Sequence, residues 1–337
     1  MKFKKIIVWM IVMAMSVLTV GCGNKIPDNE KENKIKIMTT LFPYYDFARA
    51  VTKGIDDIEV ELLVSPGQDD HSFEPTPADV VKINNADVFI YNGGGLETWV
   101  STVLESLDNK SQTVIKMIDC VKPEIEAAAE KEEHEKFFAV DDHEHDDENS
   151  EHEHEDEHHH EIDEHIWTSP VMAQKLVENI CNKLSEKMPE YRDKLNKNAN
   201  DYINEIKDVD AELRRITDKA EKKEIIFADK FPLKYFAQEY GLKYYAAFDG
   251  CSGEMEPSAK TVAFLIDKVK AKDVHGIFYL ELSSQAMADV ICDDTGVKKY
   301  QFNSCHNITE KQFNKGITYV NLMKENADVL KKALNVK

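Results

Sequence analysis

Apolar and polar positions follow two alternating periods along most of this chain. Between residues 35 and 130, short stretches with a two-residue beat read as strands at 35–40, 58–64, 88–92 and 114–117. Between them, stretches of helical period lie at 43–53, 77–84 and 97–107. Thr76, Pro77 and Asp79 mark one helix start with a cap, a first-turn proline and a capping-box acid. Ser169 and Pro170 mark another, for a helix running to about residue 187. Pro189 then opens a longer segment. Its apolar positions Leu195, Ala199, Tyr202, Ile206, Val209, Leu213 and Ile216 form a single helical stripe. From 189 to 219 such a helix is about 45 Å long at 1.5 Å per residue. A coiled-coil dimer and a helix laid across two parts of one chain both fit that stripe. The strand–helix alternation resumes at 224–330, ending in a helix over 314–334, and favours the second. The expected fold is therefore α/β: two αβ lobes with parallel-type sheets, joined by one long rigid helix, with a cleft between them.

The amino terminus has a different pattern. Lys2, Lys4 and Lys5 precede an apolar run at 6–20, too short for the roughly 20 residues of a membrane span. The following LTVGC resembles a bacterial lipobox, with Thr19 where Leu is usual and Leu18 one place earlier. The expectation is a signal peptide over 1–21, diacylation of Cys22, and a polar tether over 22–34.

Charge changes the picture most between the two halves. Residues 130–161 hold eight of the twelve histidines, sixteen Asp and Glu, and two Lys, about −14 of the net −21. This run cannot bury enough apolar surface to fold alone. Imidazole and carboxylate together suit divalent metals, so His134, His143, His145, His152, His154, His158, His159 and His160 are read as a weak metal-collecting loop over 130–162. The loop divides an amino-terminal lobe over 35–129 from a ligand-bearing segment and helix over 163–188. The linker helix over 189–220 and a carboxy-terminal lobe over 221–337 follow. No basic stripe suggests nucleic acid.

Five stretches, SPGQDDHSFEPTPADV (65–80), YNGGGLETWV (91–100), DEHIWTSP (163–170), YFAQEYGL (235–242) and EPSAKTV (256–262), resemble one family. They are similar to the zinc and manganese substrate-binding lipoproteins of ABC transporters, the TroA-like superfamily, and within it the ZnuA/AdcA zinc type. The resemblance implies capture of a divalent cation between two lobes and delivery to a membrane permease and its ATPase. It places ligands on His71 and His165. The family's third position falls on Lys230, which has no lone pair, so the neighbouring Asp229 is the expected substitute. The fourth falls on His306, where a third imidazole favours Zn2+ over Mn2+. Asp70 matches a carboxylate used by some zinc members and is the reserve ligand. Glu281 also matches a frequent family Glu and is expected to be a structural ion-pair partner, and His275 a surface residue. Some zinc members carry a disulfide in the second lobe, which suggests pairing Cys251 with Cys305.

These readings imply a monomeric binding protein on the extracytoplasmic face of a bacterial membrane, not an enzyme. A zinc hydrolase would want a positioned base beside the metal, and the one HExxH match, His154 to His158, falls inside the acidic His-rich run rather than on a helix of apolar period. A surface zinc buffer or adhesin would not need the ordered series His71, His165, His306. Three imidazole ligands also imply that zinc affinity falls as pH drops through about 6.5.

Overall fold

The computed structural model describes residues 34–132, 163–249 and 258–337. The expected signal peptide, Cys22, nearly all of the tether, the His-rich loop and Cys251 lie outside the described residues. Among the described residues no helix is long and apolar enough to cross a membrane.

The amino-terminal lobe contains β1 (Ile35–Thr39), α1 (Phe42–Val51), β2 (Ile58–Leu62), α2 (Pro77–Asn84), β3 (Val88–Tyr91), α3 (Trp99–Ser106), β4 (Thr113–Lys116) and α4 (Lys122–Glu132). The strands form a parallel sheet in the order β2-β1-β3-β4. Thr76 and Asp79 make the expected reciprocal capping box on α2. Helices α5 (Pro170–Lys187) and α6 (Arg192–Lys219) follow, with Ser169 capping α5 through the Met172 amide. The second lobe contains β5 (Glu224–Phe231), α7 (Lys234–Tyr240), β6 (Lys243–Asp249), α8 (Ala259–Lys272), β7 (Gly276–Leu280), α9 (Ala286–Thr295), β8 (Lys298–Phe302), α10 (Glu310–Asn314) and α11 (Tyr319–Ala333). Its parallel sheet has the order β6-β5-β7-β8.

All seven positions of the sequence stripe on α6 are buried. The helix packs against α1 and α5 on one side and α7 and α11 on the other. One apolar cluster therefore runs from Ile37 of the first sheet, through α5 and α6, to Phe278 and Ala333 of the second lobe. Smaller clusters fill the outer face of each sheet. The lobes share a core, and α6 is its spine rather than a free-standing tether.

Two boundaries differ from the sequence reading. The expected helix over 314–334 is two helices, α10 and α11. Gly316 takes a left-handed φ of 68° between them, and Thr309 and Thr318 each open a helix with a capping box. Strand β5 runs on to Phe231, with a register shift between Phe227 and Lys230. That extension carries Asp229 along the sheet edge of the cleft.

Candidate metal centre

Each imidazole of the site comes from a different loop. His71 lies between β2 and α2, with its amide on Asp69 Oδ1 at 3.1 Å. His165 immediately precedes a short 3-10 turn, Ile166–Thr168, and Thr168 closes that turn on the His165 carbonyl through Oγ1 at 2.7 Å. His306 follows β8. The ligand atoms of the three rings lie within 4.8 Å of one another. His165 and His306 are buried, at 4% and 8% exposure, while His71 is exposed. The site opens into a cavity of about 880 Å³ lined by Asp70, His71, Asp229, Glu281, Ser304 and His306.

Carboxylates stand beside two of the rings. Asp163 Oδ1 accepts the His165 amide at 2.8 Å and meets its Nδ1 at 2.9 Å, which fixes the ring's orientation. Asp70 Oδ2 stands 2.6 Å from His306 Nε2. Burial alone would push both acids up, but the adjacent histidine overrides it, and each sits below the ordinary carboxylate range. His71 is pushed down to about 4, first by desolvation and then by the neighbouring imidazoles, against the pull of Asp70. The hollow thus offers a neutral His71 beside ionised acids, the state in which a divalent cation can bind.

The contact between His306 and Asp70 tests whether a cation fits. Both atoms are buried, and although close they are not aligned for a hydrogen bond with each other or any other described residue. Buried polar atoms without partners are costly. A cation drawing on both would remove that cost, and nitrogen with carboxylate oxygen is a donor set that Zn2+ accepts.

The structure brings together His71, His165, His306 and, through its contact with His306, Asp70. Asp229 stands on the wall of the same cavity but outside the group. Its Oδ2 accepts the Leu280 amide at 2.9 Å and the Ser283 hydroxyl, and its Oδ1 accepts the Lys230 amide at 2.8 Å. Those bonds tie β5 to the end of β7, so the carboxylate is engaged in the lobe's own framework. Glu281 is likewise engaged, accepting the Ser304 amide and hydroxyl at 2.7 and 2.6 Å, and burial raises it to about 7. Its partners are hydrogen-bond donors, where an ion pair was expected. The suggested Cys251–Cys305 bridge lies outside the described residues at its Cys251 end; Cys305 itself is fully buried, its sulfur 3.8 Å from the Asn303 carbonyl. A left-handed turn at Cys305, with φ of 59°, packs that thiol into the shared core.

Two supporting residues escaped the sequence reading. Asp163 sits two places before His165, a spacing that would have revealed it. Glu164 is the other. Its carboxylate accepts the amides of Gly95 and Leu96 and anchors the ligand segment to the first lobe. A side chain at Gly94 would strike it, since a Cβ there falls 2.6 Å from Glu164 Oε1.

Comparison with known proteins places the chain in a family. The profile of the family described as zinc-uptake complex component A, periplasmic, matches residues 37–333. The high-affinity zinc uptake system protein ZnuA of Bacillus subtilis (strain 168) is 34% identical, with 99% of each chain covered. The zinc-binding lipoprotein AdcA of Streptococcus pneumoniae is 33% identical over 94% of this chain, which spans 58% of that longer protein. The crystal structure of the Zn(II)-bound ZnuA-like domain of the same AdcA superposes with a TM-score of 0.69 at 31% identity, covering 90% of this chain and 99% of that one. With the family profile matched over residues 37–333 and a 34% identical relative covered over nearly its whole length, this chain belongs to the ZnuA family of zinc-uptake substrate-binding proteins.

Proposed function

We propose that the protein captures Zn2+ as cargo in the cleft, using His71, His165 and His306, with Asp70 as the carboxylate beside them. The observation that carries this reading is the convergence of three imidazoles, from three loops and both lobes, within 4.8 Å. A nitrogen-rich set suits tetrahedral Zn2+ better than Mn2+, which prefers oxygen ligands. Membership of a family of substrate-binding transport components supports binding rather than hydrolysis. The protein delivers its ion to an ABC permease and the permease's ATPase from the extracytoplasmic face, held to the membrane by diacylglycerol on Cys22. The His-rich loop gathers further metal weakly, because a chain without preorganisation must lose conformational entropy for every ligand it orders.

The test is a competition titration of Zn2+ against Mn2+ on the mature chain, with His71→Ala and a deletion of residues 133–162. One tight zinc site should survive the deletion and be lost in His71→Ala with the fold retained. Tight zinc binding that disappears with the loop and persists in His71→Ala would place the site elsewhere.

A further inference from the structure

His165 and His306 reach the cleft from opposite lobes, yet one residue touches the framework of both. Trp167 is fully buried two places after His165. Its indole Nε1 donates to the Ser304 carbonyl at 2.9 Å, two residues before His306. Its own carbonyl accepts the Tyr319 hydroxyl at 2.8 Å, from the start of α11. Both bonds cross from the first lobe to the second. The indole also packs on both imidazoles, its ring centre 5.4 Å from that of His165 and 5.0 Å from that of His306. The two imidazoles are themselves 5.3 Å apart, so the three rings form a nearly equilateral triangle.

The far side of this triangle is also fixed. Asn326 of α11 binds both backbone groups of Asn303, each at 2.7 Å. Glu281 holds the amide and hydroxyl of Ser304. On the near side, Asp46 of α1 accepts the Tyr319 amide at 2.8 Å and the Tyr202 hydroxyl of α6. Arg49 pairs with Asp46 at 2.7 Å and reaches the Ile317 carbonyl at 3.1 Å. These bonds tie the loop bearing His306 to α11, and α11 to α1. The indole links that assembly to His165, beside the Tyr235 hydroxyl of α7, which donates to the Asp163 carbonyl at 2.7 Å.

We propose that Trp167 is a positioning residue that gauges the separation of His165 and His306, and so sets the cleft's preference for zinc over manganese. This rests on the zinc-capture reading above. Zn–N bonds are about 2.0–2.1 Å and the sphere is four-coordinate. A rigid two-imidazole seat at one spacing suits that sphere and penalises a cation that wants six oxygen-rich ligands. Loosening the gauge lets the imidazoles part, which costs zinc more than manganese.

The experiment measures zinc and manganese affinities of the full mature chain as wild type, Trp167→Phe, Tyr319→Phe and His71→Ala. Trp167→Phe keeps an aromatic ring but loses the bond to Ser304. Zinc affinity should fall by about 10- to 100-fold, as for other residues that orient metal ligands. Manganese affinity should fall much less, so the zinc-to-manganese ratio drops. Tyr319→Phe should shift the ratio the same way by a smaller factor. A residue that only fills the core would lower the melting temperature of the metal-free protein, or weaken both metals equally. An unchanged ratio in Trp167→Phe, with wild-type zinc preference intact, overturns the gauge. If Trp167→Phe does not fold, Tyr319→Phe decides in the same two directions. Failure of the underlying reading looks different: the wild type would show no zinc preference, or His71→Ala would retain tight binding.

Discussion

His71 is the exposed member of a triad whose other two rings are buried, and its surroundings hold its pKa down at about 4. The sign of the consequence is clear. In the unfolded chain this imidazole takes up a proton below about 6.5. In the folded chain it stays neutral to about 4, so its contribution to stability is present above 6.5 and is lost as pH falls from there toward 4. For metal binding the same shift means that His71 has no proton to release near pH 6. The simple expectation of three protons displaced per zinc is thus too large. Calorimetry at about pH 5, where a free imidazole is almost fully protonated, in buffers of different ionisation enthalpy and on a chain lacking residues 133–162, should count fewer than three. A full count of three would show that His71 titrates as a free imidazole.

Among the elements, the segment carrying His165 depends on the Gly-rich turn after β3. Gly94 has φ 87° and ψ −161°, a conformation open essentially only to glycine. The Glu164 carboxylate fills the space a side chain would need. Gly94→Ala should destabilise the metal-free protein by about 1–3 kcal/mol through backbone strain. It should also weaken zinc binding, because Glu164 would leave the Gly95 and Leu96 amides and free the segment beside it. Thermal unfolding together with zinc titration of this variant checks both effects. Wild-type affinity would show that Glu164 does not hold His165 in place.

The whole molecule should unfold as one unit despite its two sheets, because a single apolar cluster passes through both lobes along α6. Calorimetry of the metal-free mature chain should show one main transition, and two well-separated transitions would contradict a shared core. Zinc at about 100 times its dissociation constant should add roughly 2.7 kcal/mol to stability. Because the ligands come from both lobes, that gain should move the single transition as a whole, and His71→Ala should abolish it.

Periodicity and capping residues were enough to read the α/β class, the buried stripe of α6 and the capping box at Thr76, because these are local patterns, whereas the candidate histidines came from the resemblance to a family. A seven-position stripe has only one apolar face to bury, and Ser169 followed by Pro170 starts a helix whatever lies around it. The partners of each side chain were not legible. Asp229 and Asp70 are both aspartates near the cleft. Only the packing of β5 beside β7 commits the first to the Leu280 amide and Ser283, while the loop after β2 brings the second to His306. Cys305 likewise needed the fold, since a left-handed turn decides whether its thiol faces the core or the cleft. The role of Trp167 is further still from local sequence. It depends on meeting Ser304 and Tyr319, 137 and 152 residues away, and such contacts exist only once both lobes are assembled on α6.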